Sequence, residues 1–136
     1  MHIVVGALLA ATLVYRVFWR LSSAVRLPAP GPPAAAAAAK IVHGLLYTLA
    51  LSVVTLGIYN TWMRGDDLFG LAHIPKFGDY DMATRHALAN VIVKRHRTAA
   101  NAILIVAAAH ASAGLFHHYV LRDGVLKRML PSVRPR

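Results

Sequence analysis

Eight histidines and no cysteine define the chemistry open to this 136-residue chain. They are His2, His43, His73, His86, His96, His110, His117 and His118. Without thiolates, disulfides, zinc–thiolate sites and iron–sulfur clusters are excluded. His110 is the most informative, because it sits inside "NAILIVAAAHASAGLF", residues 101–116, a nearly unbroken apolar run. An ionisable side chain in such a run is costly and is a functional candidate by default. A neutral imidazole can remain there if one nitrogen donates a hydrogen bond and the other binds a metal. It can also simply hydrogen-bond a neighbouring helix.

Spacing weighs between the two. His96 and His110 are fourteen residues apart. On an α-helix that leaves an angular offset of about 40° and an axial separation of about 21 Å. They share one side of a helix but cannot share one metal, so each would serve a different centre, one near the outer surface and one deeper. His73 and His86 lie in polar surroundings and read as ordinary loop residues. His43 and the His117–His118 pair fall near the inner ends of apolar runs, where an imidazole can reach water.

The elements that must position these residues are helices. Apolar runs cover 3–19, 41–63 and roughly 98–121, each close to the ~20 residues a spanning helix needs. Hydrophobic residues make up 57% of the chain and mean hydropathy is +0.52, both high for a soluble domain. The expected fold class is all-α, a transmembrane helical bundle, as one domain over 1–136 with helices at about 3–21, 40–63 and 82–121. No basic residue precedes the first run, Arg16 and Arg20 follow it, and no A-x-A cleavage pattern comes next. It therefore reads as a spanning helix that is kept, not a signal peptide.

In "RLPAPGPPAAAAAAK" the prolines stop that helix and six alanines restart helical structure. Gly57 is tolerable in a membrane helix, where small residues permit close packing. Residues 64–81, "RGDDLFGLAHIPKFGDYD", predict a loop whose Phe69, Leu71, Ile74 and Phe77 dip into the interface. Asp79 or Asp81 is placed to cap the next helix. That helix has no proline or glycine before Gly114, and its first turns are expected outside the bilayer. Gly124 is the expected left-handed residue at its end, and "VLKRML" a short interfacial helix before Pro131.

The net charge is +10. No nucleic-acid-binding motif accompanies it, so the charge is assigned to the flanks of membrane segments facing anionic lipid heads. The connection between the first two helices carries Arg20, Arg26 and Lys40 and no acid, and the tail carries Arg122, Lys127, Arg128, Arg134 and Arg136. The positive-inside rule puts both in the cytoplasm, against the opposing cluster Lys94, Arg95 and Arg97. In an antiparallel bundle His2, opening the first helix, then lies level with His96. Imidazoles from separate helices at one depth can bind one iron from opposite faces of a haem.

The chain resembles the bacterial cytochrome b561 family, small di-haem cytochromes of the inner membrane. The matching pieces are "HIVVGALLAATLVYRVFWRL", "VHGLLYTLAL", the "LFGL…IP" loop and "RHRTAANAILIVAAAHASAGLFHHYVLRDGVLKRMLP". The last is the most specific: two histidines fourteen apart, then His-His, Arg-Asp-Gly and a basic Met-Leu-Pro tail. The resemblance implies four helices, the first of which normally precedes the segment that starts here at Met1 and carries an axial histidine. The chain thus looks like an N-terminally shortened member. Carried over residue by residue, His2, His96 and His110 match haem-iron ligands, His2 pairing with His96 at an outer haem b. His110 would pair with the first-helix histidine at an inner haem, so that second site lacks a ligand unless a homodimer or partner chain supplies it.

Arg95 and Arg97 are candidates to hold haem propionates, and the same cluster would draw a small anion such as superoxide. His43, His117 and His118 are candidates to hydrogen-bond a quinone carbonyl, ubiquinone among them. The expected function is electron transfer between an outer-face donor, superoxide being one candidate, and quinone in the respiratory chain. Iron with two axial nitrogens has no open position, which favours electron transfer over oxygen activation. The alternatives are a cytochrome b anchoring subunit of a larger dehydrogenase or hydrogenase, and a haem-free truncated remnant.

Overall fold

Apolar residues without proline from His2 onward give α1 (His2–Ser22). In the computed structural model, which describes residues 1–22, 33–68 and 72–122, α2 runs from Pro33 to Arg64. It starts well before the expected residue 40. Proline's fixed φ suits the first helical turn, and the alanines behind it are the strongest helix formers. Two short antiparallel strands, β1 (Asp67–Leu68) and β2 (Ala72–His73), pair Asp67 with His73 and Leu68 with Ala72. Then α3 covers Met82–Phe116 and passes into a π-helical turn, His117–Leu121.

That turn changes where the helix stops. The Arg122 amide bonds the His117 carbonyl and Arg122 takes the left-handed conformation, φ 50 and ψ 32. Arg122 is thus a left-handed residue closing the π turn. Gly124 and the "VLKRML" segment lie outside the described residues, as do Phe69 and Leu71 of the loop.

Among the described residues three helices are long and apolar enough to cross a membrane: His2–Ser22, Ala34–Arg64 and Met82–Leu121. The last has 40 residues and so extends about 60 Å, twice a hydrocarbon core of about 30 Å. One end must project. Among the described residues only Met63 and Ile92 are buried, while Leu8, Val14, Phe18, Leu51, Leu104 and Ile105 are exposed. Water would not tolerate that much apolar surface; lipid chains do. Hydroxyl groups in the spans bond their own helix backbone, as a water-free medium favours. Thr12, Thr48, Ser52 and Thr98 each donate to the carbonyl four residues earlier. Tyr15 and Trp19 pack near one end of the bundle and Trp62 stacks on Phe77 at the other, the positions of an aromatic belt.

The antiparallel α2–α3 seam is the main contact, with α1 laid against α2. One end of that seam is fastened by the α2–α3 connecting loop. Gly65 ends α2 with φ +67, and a Cβ there would come within 2.6 Å of Lys76 Cγ. Asp81 caps α3 by accepting from the Thr84 amide at 2.8 Å. Hydrogen bonds from Thr84, side chain first and then backbone, hold the Asp81 carboxyl below its ordinary pKa. Arg85 then reaches back: Nη1 donates to the carbonyls of Met63 (2.9 Å) and Phe77 (3.3 Å), and Nη2 to that of Gly78 (2.9 Å).

Candidate functional site

His2 enters the site as the first helical residue of α1, and His96 reaches it from the middle of α3. Their ring centres are 5.9 Å apart with planes at 85°. Between α1 and α2 beside them lies a cavity of about 390 Å³, in the range of small-molecule and cofactor sites. Gly6, Ala7 and Ala10 line it from α1, and Val53, Val54 and Gly57 from α2. Small residues keep the helices from filling the space. Gly57 is the tightest of them, since a Cβ there would meet His96 Cε1 at 3.3 Å. Trp62 and Ile74 close the outer end.

This cradle fits a haem. With metal–nitrogen bonds of about 2 Å, iron between two imidazoles sets their ring centres about 6 Å apart. Among the described residues no group of three or more His, Cys, Asp or Glu side chains converges. A two-donor set suits iron whose other ligands come from a macrocycle, not a bare ion held by protein alone. His96 Nδ1 is buried without a hydrogen-bond partner, as is Asn60 Oδ1 on α2. A buried ring nitrogen left this way has its polarity unsatisfied by the chain itself.

At the other level the structure joins two residues that the sequence had kept in separate roles. His43 of α2 and His110 of α3 meet edge to face, ring centres 5.0 Å apart and planes at 71°. Antiparallel register relates the two levels. Moving fourteen residues along each helix carries Gly57 to His43 and His96 to His110. Where the outer level has glycine on α2 and open space, the inner level has a second imidazole filling it. Its ring spacing is about 1 Å short of an iron sandwich, so this pair does not frame a macrocycle as it stands. The fourteen-residue register was readable in the sequence; the rotation of α2 that aims His43 at His110 was not.

The remaining candidates are more dispersed. Arg95 and Arg97 flank His96 but are exposed, and neither pairs with a carboxylate among the described residues. His117 and His118 lie half-buried in the π-helical turn, where the His118 ring rests on Tyr119 at 4.8 Å. His86 is exposed near the start of α3, and His73 lies in β2. Sequence reasoning did not reach Tyr47, whose phenol accepts from Arg16 Nε at 3.1 Å while Arg20 lies over its ring at 5.4 Å. The Arg-x-x-x-Arg spacing was visible, but nothing in it named the partner.

Comparison with known proteins gives a consistent result. The family described as prokaryotic cytochrome b561 matches residues 1–132. Cytochrome b561 homolog 1 of Escherichia coli is 36% identical over 104 residues, covering 75% of this chain and 57% of that protein. The probable superoxide oxidase CybB of Yersinia pestis is 28% identical over 98% of this chain and 74% of its own length. Cytochrome b562 of Cereibacter sphaeroides is 35% identical over 100% of this chain and 68% of its own. The chain thus spans 57% to 74% of the length of these three relatives. No solved structure matches it.

Proposed function

This chain belongs to the prokaryotic cytochrome b561 family, and from that premise we propose that it is a haem b protein carrying electrons between an outer-face donor and quinone in a bacterial inner membrane. The observation that carries the reading is the His2–His96 pair beside a cavity that Gly57 helps keep open. When bound there, haem iron supplies one-electron exchange. His2 and His96 would each hold the iron through one imidazole nitrogen, leaving no open position for oxygen or water. Val53, Val54, Ala7 and Ala10 keep the surroundings apolar, which tunes the potential.

Arg95 and Arg97 offer propionate partners or a cationic approach for an anionic donor. The name of the Yersinia pestis relative supports superoxide as one such donor. On the quinone side, His43, His117 and His118 offer imidazole N–H groups to a carbonyl oxygen. His110, in contact with His43, serves as the ligand of a second haem only where another helix, from a homodimer or a partner chain, brings the opposing imidazole. The domain is the whole of 1–136, and the C-terminus lies in the cytoplasm.

Purified, detergent-solubilised chain tests the reading. Expressed with haem supply, it is expected to show the reduced-minus-oxidised α-band of b-type haem, and His96→Ala to lose it. A chain that takes up no haem, or a His96→Ala variant with unchanged haem content and spectrum, overturns it.

A further inference from the structure

The inner end of the bundle is strongly basic, and Asp123 is the one carboxylate that the sequence places there. Residues 1–65 contain no Asp or Glu, yet they place Arg16 and Arg20 on α1 and Lys40 on α2. The first carboxylate, Asp66, stands at the opposite end of α2, and the ion pair seen among the described residues, Arg64–Asp66, is there too. Arg16 and Arg20 converge instead on one neutral group. Arg16 Nε donates to the Tyr47 oxygen at 3.1 Å, and the Arg20 guanidinium lies 5.4 Å from the centre of the Tyr47 ring.

We infer that Arg16, Arg20 and Tyr47 form a clamp for the phosphate of an anionic phospholipid at the α1–α2 junction. Holding Arg16 by Nε leaves its two terminal nitrogens free to donate, and a guanidinium matches phosphate oxygens in a paired geometry. Tyr47 accepts from Arg16, so its own hydroxyl proton points to another acceptor. Both arginines are exposed and Tyr47 is half-buried, so the clamp opens at the bundle surface. Arg20 lies in the last turn of α1, the level of lipid headgroups, and Arg16 one turn deeper reaches that level by extending its side chain. Register separates this set from the haem cradle: fourteen residues along α1 from His2 stands Arg16, an anion-binding side chain in place of a metal-binding one. The bound phosphate would also join α1 to α2 where α1 buries no residue of its own.

The test uses the full chain and does not require haem. Lipid retention is measured by native mass spectrometry after exchange into detergent with phosphatidylglycerol or phosphatidylcholine, and thermal unfolding is followed with the same additives. Phosphatidylglycerol is expected to be retained and stabilising, phosphatidylcholine not. R16Q/R20Q is expected to weaken retention about tenfold or more, the loss of two charge-assisted contacts, and Y47F to weaken it less. K127Q/R128Q, which removes tail charge of equal size, is expected to leave it unchanged. Retention by R16Q/R20Q equal to that of the parent chain, or equal losses in the tail variant, overturns the clamp. Stabilisation by inorganic phosphate alone to the same extent overturns the lipid as its ligand.

Discussion

At the residue scale, the geometry turns on Gly57. Its hydrogen is all that separates α2 from the His96 ring, because a Cβ would approach Cε1 to 3.3 Å. Substitutions there should act by volume. Gly57→Ala is expected to lower haem content modestly, since the His96 ring can give by a few tenths of an ångström. Gly57→Leu is expected to abolish haem content while far-ultraviolet circular dichroism stays helical. Equal haem content in Gly57→Leu would show that the macrocycle lies elsewhere. His43→Leu provides the contrast. His43 touches His110 and not the outer pair, so the outer α-band is expected to persist in this variant.

At the element scale, the α2–α3 connection determines how firmly the outer rim of the cavity is held. Arg85 ties three carbonyls from two segments to the start of α3. Arg85→Ala leaves them without that donor, and exchange of loop amides near Phe77 and Gly78 is expected to rise on the order of tenfold or more. Lysine gathers its three donors on one nitrogen and lacks the span of the guanidinium, so Arg85→Lys should recover only part of the protection. Asp81 acts on the same helix through pH. Its carboxyl is held below the ordinary value by Thr84, so the cap is complete above the unfolded-state pKa and is lost as pH falls through the lowered folded value. Hydrogen exchange in the first turn of α3 is expected to accelerate across that acidic window. Asp81→Asn, which keeps an acceptor oxygen, should remove the pH dependence.

At the scale of the whole molecule, two levels of unlike composition share one register. The outer level offers two imidazoles and space; the inner level offers two imidazoles in contact, with two arginines nearby. The chain expressed alone is therefore expected to bind about one haem per polypeptide by pyridine haemochrome assay, from a single bis-histidine cradle. His110→Ala is expected to leave that ratio unchanged. A ratio near two that falls on replacing His43 or His110 would mean that the inner imidazoles move apart to accept a macrocycle. The proposed cytoplasmic C-terminus is tested by fusions. Fluorescent protein fused after Arg136 should mature and fluoresce, whereas alkaline phosphatase fused there should be inactive.

Properties confined to one helix were legible in the amino-acid order alone. The three spans, the shared face of His96 and His110, and a carboxylate cap at residue 79 or 81 depend only on composition and on a repeat of 3.6 residues per turn; the structure chose Asp81. The common level of His2 and His96 needed one more step, the antiparallel course of consecutive spans. What packing decided is how each helix is rotated about its own axis, a consequence of many side chains interlocking along a seam. That rotation brings His43 to His110 and Tyr47 to Arg16. It also turns Arg85 towards backbone carbonyls, acceptors that every residue carries and that no sequence pattern can single out.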